Sequence, residues 1–491
     1  MGNADPAVVT GHLYRGYMSH PLVPAHLPRT LADLRASGWT SEPIRQEIRR
    51  NLEARLVAGQ PLVLGVDGYE DTVLPQLETA LIAGHDIILL GERGQAKTRL
   101  IRSLTELLDE WIPVLAGSEV RDDPYAPISA FGRAQIVEFG DEAPIDWIHR
   151  SRRFAEKLAS PDTSMADLIG EVDPIRVAAG LYLDDERALT YGLVPKSNRG
   201  IFAINELPDL AERIQVGLLN VLEERDVQIR GQLVRLDLDV LVVATANPED
   251  YTNRGRLITP LKDRFGSQIR THYPPTVEIE VGIMRQEARL PEVPGTMEIP
   301  WFIEDIVARV SHLARSSNVI NQRSGVSVRL SIANYETVVA NAVRRSLRSG
   351  ETHVVPRVSD LTAVVQSTQG KVELDVVDDT PIESLIASLV GLAVRQSFAE
   401  NVVLAEVGEI LAAFESGAAV NVGEDRRNED YAAIAELIPD LAGPINRLVG
   451  DDASAGMRAS AIEFILEGLY VTKRLGKDSS GARALYRARH R

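Results

Sequence analysis

The sequence contains no cysteine among its 491 residues. That absence excludes disulfides, thiolate zinc sites, iron–sulfur ligation and cysteine nucleophiles, and it fits a reducing compartment. Basic residues are also the minority, with 53 Lys and Arg against 70 Asp and Glu and a formal net charge of -17. Because non-specific binding to nucleic acid needs a basic face, a nucleic-acid partner is not expected. The basic cluster HRSRRFAEK at 149–157 is then expected to be a solvated face.

Long apolar runs and the motifs of several enzyme classes are missing as well. The longest run near helix length, 385–394, is about half of the roughly 20 residues that span a bilayer. The N-terminus has no cationic start followed by an apolar core, as a secretory signal would. We therefore expect a cytoplasmic protein with no membrane partner. The sequence has no H-E-x-x-H, no G-x-S-x-G and no strand-following G-x-G-x-x-G, which argues against a zinc protease, a serine hydrolase and a dinucleotide-binding oxidoreductase.

Short apolar runs alternate with helical stretches in the first half of the chain. The runs that predict strands are DIILLG, QIVEF, GIFAI, DVLVVATAN and SQIRTHY, at 86–91, 135–139, 200–204, 239–247 and 267–273. Strands separated by helices favour a parallel sheet that is covered on both faces. After Pro274 and Pro275 the strand signals fade and helical periodicity dominates to the end, with GEDRRNED at 423–430 as a candidate linker.

A phosphate-binding loop is predicted at 91–98, where GERGQAKT follows the run DIILL and precedes a helical pattern. The template G-x-x-x-x-G-K-[ST] needs this context, in which backbone N–H groups wrap a phosphate at the positive end of a helix. Lys97 would contact the β- and γ-phosphates, and the Thr98 hydroxyl would ligate Mg²⁺. Ala96 stands where the template has glycine, which is acceptable if its dihedral angles are helical, because only a positive φ demands glycine. The predicted binding residues are Gly91, Glu92, Arg93, Gly94, Gln95, Ala96, Lys97 and Thr98.

Later strand ends supply the remaining candidate residues. Asn205 and Glu206 end GIFAINE, where a nucleotide hydrolase places an acid for magnesium and a glutamate that polarises the attacking water. Asn247 follows VLVVATA and can hold that water together with Glu206. Arg264, in LKDRFG, can reach a γ-phosphate bound by a neighbouring subunit. Each position alone also fits a plainer role, respectively a strand end, an Asn-Pro turn and a surface arginine paired with Asp263. Their common order makes coincidence the poorer explanation.

Taken in order, five motifs resemble those of AAA+ ATPases in the MoxR and magnesium-chelatase I-subunit branch. GERGQAKT, GIFAINE, ATANP, LKDRFG and RSGVSVRL are similar to its Walker A, Walker B, sensor 1, arginine finger and sensor 2. The segment 64–84 resembles the border of the adenine pocket, and 227–236 (VQIRGQLVRL) resembles a β-hairpin before sensor 1. The resemblance covers about residues 60–370. It implies ATP and Mg²⁺ as cofactors, with the catalytic residues Glu206, Asn247, Arg264 and Arg329 and the metal-site residues Thr98 and Asn205.

The same resemblance implies the architecture and the partners. The expected fold is α/β, a P-loop NTPase sandwich around a parallel sheet, followed by a helical lid and a helical C-terminal extension. The expected boundaries are an N-terminal arm and helical segment at 1–60, the nucleotide-binding domain at 61–275, the lid at 276–370 and the extension at 371–491. Relatives of this branch imply a homo-oligomeric ring of six subunits and a partner with a von Willebrand A domain.

One departure from the family pattern leaves two functions open. Walker B normally ends in Asp-Glu, whereas this sequence has Asn205 before Glu206. An amide keeps an acceptor oxygen but loses the negative charge, so outer-sphere binding of Mg²⁺ should weaken. The first function is a motor that hydrolyses ATP, at a rate that the lost charge would lower, to remodel a partner or insert a metal. The alternative is a nucleotide-gated scaffold with little or no hydrolysis.

Overall fold

The computed structural model describes residues 21–178, 180, 186–223, 227–229, 232–234, 236–247, 257–321, 325–374, 381–480 and 483–489. They form two compact units, Met1–His272 and Tyr273–Arg491. The helices of the first unit are α1 (Leu31–Ala36), α2 (Ile44–Val57), α3 (Val73–Ile82), α4 (Lys97–Ser103), α5 (Ala130–Phe139), α6 (Met165–Leu168), α7 (Pro174–Ala178), α8 (Leu193–Lys196), α9 (Glu212–Glu223) and Thr259–Arg264. Its strands are β1 (Ile87–Leu90), β2 (Trp111–Leu115), β3 (Ile145–His149), β4 (Phe154–Leu158), β5 (Gly170–Val172), β6 (Leu189–Tyr191), β7 (Gly200–Asn205), β8 (Val227–Ile229), β9 (Gln232–Val234), β10 (Val240–Ala246) and β11 (Ser267–Arg270).

A five-stranded parallel sheet forms the centre of the first unit, in the order β11–β1–β10–β7–β4. After β1 the chain runs to the β4 edge and returns through β7 and β10, and it then crosses to β11 on the other side of β1. The carboxyl end of β1 is therefore a topological switch point, where open α/β sheets bind their ligands.

Side chains of the central strands alternate between two cores. Ile87 and Leu89 pack with residues of α2, α3 and α4, whereas Ile88 and Leu90 pack with α9 and with the helix Thr259–Arg264. Covering both faces explains why these strands read as continuous apolar runs. The predicted sandwich around a parallel sheet is confirmed, as are the strands in DIILLG, GIFAI, DVLVVATAN and SQIRTHY.

The predicted strand QIVEF is wrong, because these residues belong to helix α5. The Ser129 hydroxyl caps this helix by accepting the backbone N–H of Gly132, and Val137 is 87% exposed. The segment has three apolar residues, Ile136, Val137 and Phe139, and this composition is also that of a short strand. Periodicity over so few residues does not separate the two.

The fifth strand of the sheet is β4, which lies inside the basic cluster predicted to be a solvated face. Arg153, just before it, is 1% exposed and donates two hydrogen bonds of 2.6 Å to the Glu47 carboxylate on α2. Removing one partner of such a buried pair leaves an uncompensated charge. The expectation of a solvated face is therefore wrong for this part of the cluster.

Antiparallel pairs surround the sheet. Strands β8 and β9 pair with each other, which confirms the predicted hairpin. Three sequence features lie outside the described residues: Gly231 at the hairpin turn, Pro248 of ATANP, and the first two residues of RSGVSVRL. The pairs β2–β3 and β5–β6 complete the strands of this unit that the structure describes.

The second unit is mainly helical and has its own core. Its α-helices are Val277–Glu287, Trp301–Ser316, Arg329–Ser349, Val364–Thr368, Ile382–Asn401, Gly408–Glu415, Ala432–Leu437, Ala442–Val449 and Ala455–Val471. Its strands are β12 (Thr296–Met297), β13 (His353–Val354), β14 (Val420–Gly423), β15 (Leu475–Ser480) and β16 (Arg483–Ala488). One cluster of buried side chains runs from Met284 to Tyr486. The second unit therefore contains both the predicted lid and the predicted extension, and their buried side chains share one core.

Two features of the C-terminal region differ from the expectation. Strands β14, β16 and β15 form an antiparallel sheet that helical periodicity did not predict. The candidate linker 423–430 is wrong, since Gly423 pairs with Arg483 in that sheet and Asn428 is 5% exposed. A segment whose polar side chains find partners inside a core looks like a linker by composition alone.

One described helix, Ile382–Asn401, is long and apolar enough to cross a membrane by length and composition. Its mean hydropathy reaches 1.3 over an 18-residue window. Core helices pass the same test, and Ile386, Ala393 and Phe398 of this helix are buried in the core of the second unit. The helix is therefore weak evidence for a membrane span.

Candidate nucleotide-binding site

The loop 91–98 runs from the end of β1 into the first two residues of α4, at the switch point of the sheet. The Gly91 N–H donates to the carbonyl oxygen of Ala246 at 3.1 Å, which fixes the loop against the end of β10. A Cβ atom at Gly91 would overlap the Thr271 hydroxyl and the side-chain oxygen of Gln95. Glycine is therefore required here for close approach of the backbone, as the motif predicts.

The side chain of Gln95 stabilises the loop through hydrogen bonds. Its side-chain oxygen accepts the Glu92 N–H at 3.0 Å and the Thr271 hydroxyl at 2.7 Å, and the side chain is buried. The Tyr69 hydroxyl lies 2.9 Å from the Gln95 carbonyl oxygen and 2.8 Å from that of His272. Burial raises the pKa of Tyr69 to about 12, so the phenol stays a neutral donor. Sequence reasoning reached Thr271 only as a member of the run SQIRTHY, and Tyr69 only as a member of the segment 64–84.

Lys97 supplies a buried positive charge beneath the loop. Its side chain is 7% exposed, and its ammonium donates to the carbonyl oxygens of Gly91 and, at 2.8 Å, Glu92. The N–H groups in the first turn of α4 have no acceptor within the helix. Thr98, the next residue, is half-buried. An ammonium and a set of backbone donors at one loop match a polyanionic ligand such as a triphosphate.

Ala96 differs from the expectation of helical dihedral angles. It has φ 53° and ψ 12°, in the left-handed region, as does Gly94 with φ 79°. The template glycine is thus replaced by a residue that adopts the glycine conformation nonetheless. A left-handed alanine costs about 1–2 kcal/mol from contact between Cβ and the backbone. Strain of this kind persists where surrounding contacts fix the backbone, often at a functional site.

We expect Ala96→Gly to fold normally and to be as stable as the wild type, or more stable by up to about 1.5 kcal/mol. The substitution removes a left-handed strain of about 1–2 kcal/mol. It also costs about 0.5–1 kcal/mol, because glycine has more conformational freedom in the unfolded chain. Ala96→Val should instead lose stability, because a β-branched residue tolerates a positive φ poorly. Urea unfolding of the three proteins measures the order. Equal stability of the valine and glycine variants would contradict the left-handed assignment.

The carboxyl ends of β7 and β10 bring two of the four predicted catalytic residues, Glu206 and Asn247, to the same edge of the sheet. Glu206 follows β7, and its N–H donates to the Thr245 hydroxyl on β10 at 3.0 Å. Asn247 directly follows β10 and is 5% exposed, next to the carbonyl that receives the Gly91 N–H. Glu206 is also left-handed, with φ 54°. Two of the non-glycine residues with positive φ in the described structure, Ala96 and Glu206, therefore belong to this one site.

The two predicted arginines belong to other elements of the chain. Arg264 ends the helix Thr259–Arg264, is exposed, and pairs with Glu223 at 2.8 Å and Asp263 at 3.3 Å. An exposed guanidinium is what a role toward a neighbouring subunit requires, although the pairing with Asp263 was also the plainer expectation. Arg329 is the first residue of the helix Arg329–Ser349 in the second unit and is exposed.

The donors at the sheet edge suit a magnesium ion bound to a nucleotide. The Thr98 hydroxyl, the Asn205 amide and the Glu206 carboxylate supply oxygen atoms, which Mg²⁺ prefers. No cluster of three or more His, Asp or Glu side chains with metal-site geometry occurs among the described residues.

Comparison with known proteins agrees with the geometry. The Sigma-54 interaction domain family matches residues 177–265, from the segment before β7 to Phe265 in LKDRFG. Magnesium-chelatase subunit ChlI-1 of Arabidopsis thaliana is 28% identical over 251 residues, 49% of this chain and 54% of that protein. The magnesium-chelatase 38 kDa subunit of Rhodobacter capsulatus is 28% identical over 250 residues, 49% of this chain and 65% of that protein. These matches, together with the ordered motifs, support an AAA+ ATPase related to magnesium-chelatase subunits.

This AAA+ chain spans little more than half the length of the first of these curated relatives. A chain in a solved structure of the complex between the subunits BchI and BchD of magnesium chelatase aligns with 21% identity and a TM-score of 0.33. The alignment covers 64% of this chain and 95% of the solved one. The family assignment rests on the ordered motifs and on the curated relatives. Within it, the loop, Glu206 and Asn247 occupy the switch point that the strand order creates.

Proposed function

We propose that the first unit binds ATP with Mg²⁺ and hydrolyses it. The observation that carries the proposal is the convergence, at one edge of the sheet, of the loop 91–98, Glu206 and Asn247. The loop and Lys97 would hold the phosphates, and Thr98 with Asn205 would face the metal. Bound Mg²⁺ would neutralise charge that develops on the transferred phosphoryl group. Glu206 would accept hydrogen bonding from the attacking water, and Asn247 would hold that water in place.

Nucleotide binding is tested with a fluorescent ATP analogue. Lys97→Ala should weaken affinity by at least about 100-fold, since it removes a buried charge that would contact phosphates. Lys196→Ala is the matched control, because that lysine is exposed at the end of α8. Equal affinity in all three proteins would overturn the assignment of the phosphate site.

Hydrolysis is tested separately, by phosphate release. Glu206→Gln should keep nucleotide affinity and lower the rate by about 10²–10⁴-fold, the usual contribution of a general base. The alternative function, a nucleotide-gated scaffold, is favoured by the amide at position 205. It predicts a wild-type rate as low as that of Glu206→Gln, with unchanged binding in both.

The assembly proposed for this function is a ring of six identical subunits, with Arg264 facing ATP held by the adjacent subunit. The exposure of Arg264 supports this arrangement. A partner with a von Willebrand A domain, remodelled or used for metal insertion, is proposed from the family resemblance alone. The chemistry of the described site bears on the nucleotide and not on that partner.

A further inference from the structure

The amide that replaces the Walker B acid has an acidic neighbour. Asn205 ends β7, and its side-chain Nδ2 donates to Oε1 of Glu156, on the adjacent edge strand β4. The register pairs Glu156 with Ala203 and Leu158 with Asn205, so Glu156 and Asn205 project from the same face of the sheet. A negative charge therefore lies directly beside the position where the motif has lost one.

Glu156 is also tied to the helix that carries the phosphate loop. Its Oε2 accepts a hydrogen bond from Nε of Arg102 at 2.8 Å. Arg102 stands four residues after Thr98 on α4, so both residues are on one face of that helix. Asn205, the other partner of Glu156, has its Oδ1 3.4 Å from the Thr245 hydroxyl, and that hydroxyl accepts the Glu206 N–H. Glu156 is thus connected to both halves of the candidate site.

The charges of this group explain why an amide suits position 205. An aspartate there would set two carboxylates in contact, and like charges at that distance repel unless one of them takes up a proton. The amide instead donates to Glu156 and holds its carboxylate in place. The pairing with Arg102 neutralises Glu156 only partly, since the side chains are 48% and 20% exposed and water screens such a pair.

We propose that Glu156 supplies the outer-sphere carboxylate of the Mg²⁺ site in place of the residue at position 205, with Asn205 and Arg102 as its positioning residues. The proposal rests on the proposed nucleotide function. A carboxylate in the outer sphere accepts hydrogen bonds from metal-bound water and raises metal affinity without direct ligation. The metal site of this chain would then be split between two adjacent strands, β4 and β7.

The test measures how nucleotide affinity depends on Mg²⁺ concentration, with a fluorescent ATP analogue and without reference to turnover. Glu156→Gln should leave affinity in excess chelator unchanged within about threefold, and should raise the Mg²⁺ concentration at half-effect about tenfold. The matched control is Glu138→Gln, which removes a charge at an exposed position of α5 and should change neither value. Thermal unfolding of each variant verifies that it is folded.

The exchange variant Glu156→Gln/Asn205→Asp separates a charge effect from a packing effect. This double variant again has one carboxylate and one amide, but the carboxylate is at position 205 and the amide at position 156. Its Mg²⁺ dependence should therefore return to within about threefold of the wild type. An unchanged Mg²⁺ dependence in Glu156→Gln would overturn the proposal, and so would a folded exchange variant with no recovery. Both results presuppose that the wild type binds the analogue. If it does not, the proposed nucleotide function fails first.

Discussion

A chain that ends after Gly370 is expected to lose the folded second unit. Phe302, on the helix Trp301–Ser316, stacks on Phe464 with ring centroids 4.7 Å apart, and Phe398 packs against Phe464 from a third helix. Truncation removes Phe464, the stacking partner of Phe302, and Phe398 with it. Replacing even one buried Phe by Ala costs about 3–5 kcal/mol, against a total stability of about 5–15 kcal/mol for a domain.

Polar contacts across the same boundary add to the loss. The Arg357 guanidinium, fully buried, lies 4.7 Å from the ring centre of Tyr431 and hydrogen-bonds to Asn428. The Ser359 N–H donates to the Glu463 carboxylate at 2.8 Å. Truncation would leave Arg357 as a charge without these partners, and an uncompensated buried charge is strongly destabilising.

The measurement is urea unfolding followed by near-ultraviolet circular dichroism, with amide hydrogen exchange to locate the loss. Phe464→Ala in the full chain should give an intermediate destabilisation of about 3–5 kcal/mol. Leu437→Ala is the control, because that leucine is 54% exposed and should change stability by less than about 0.5 kcal/mol. Protected amides in 276–370 of the truncated chain, at the wild-type level, would show that the extension is a separate domain after all.

Sequence predicted four of the five strands of the sheet, including the edge strand β11, but not the other edge strand, β4. The strands β1, β7 and β10 are buried on both faces, so each reads as an apolar run with turn residues after it. Strand β4 is an edge strand and carries Glu156 and Lys157, so its composition is that of a surface segment. The C-terminal sheet was missed for the same reason, since β15 reads LGKDSS and has a buried residue only at Leu475 among those described.

The candidate site was predictable where one contiguous motif carried it. The loop, Glu206 and Asn247 each follow an apolar strand, and parallel strands bring their carboxyl ends to one edge. Contacts between distant segments were not predictable, because Tyr69, Thr271 and Glu156 are 26, 176 and 49 residues from their partners Gln95, Gln95 and Asn205. The dihedral angles of Ala96 likewise depend on how these neighbours hold the loop. They are a tertiary property that the motif does not record.

Mixing two inactive proteins should restore hydrolysis if the proposed ring is correct. Glu206→Gln removes the group that polarises water, and Arg264→Ala removes the proposed arginine finger, which contributes about 10³–10⁵-fold in related enzymes. In a mixed ring, an Arg264→Ala subunit still has Glu206, and a Glu206→Gln neighbour still has Arg264. At equal amounts and random assembly about one interface in four joins the two intact residues, as head-to-tail contacts in a ring allow. The recovered rate should approach that fraction of the wild-type rate.

The experiment needs proof of exchange, which differently tagged subunits recovered in one complex provide. Glu223→Gln is the matched control, because it removes the carboxylate that pairs with Arg264 at 2.8 Å and leaves the guanidinium in place. That variant should retain hydrolysis, since Arg264 must leave Glu223 before it can reach a nucleotide on another subunit. Activity that stays at the level of the separate variants, with exchange demonstrated, would mean that each site is complete within one chain. Arg264 would then be the surface ion pair that its contacts with Glu223 and Asp263 describe.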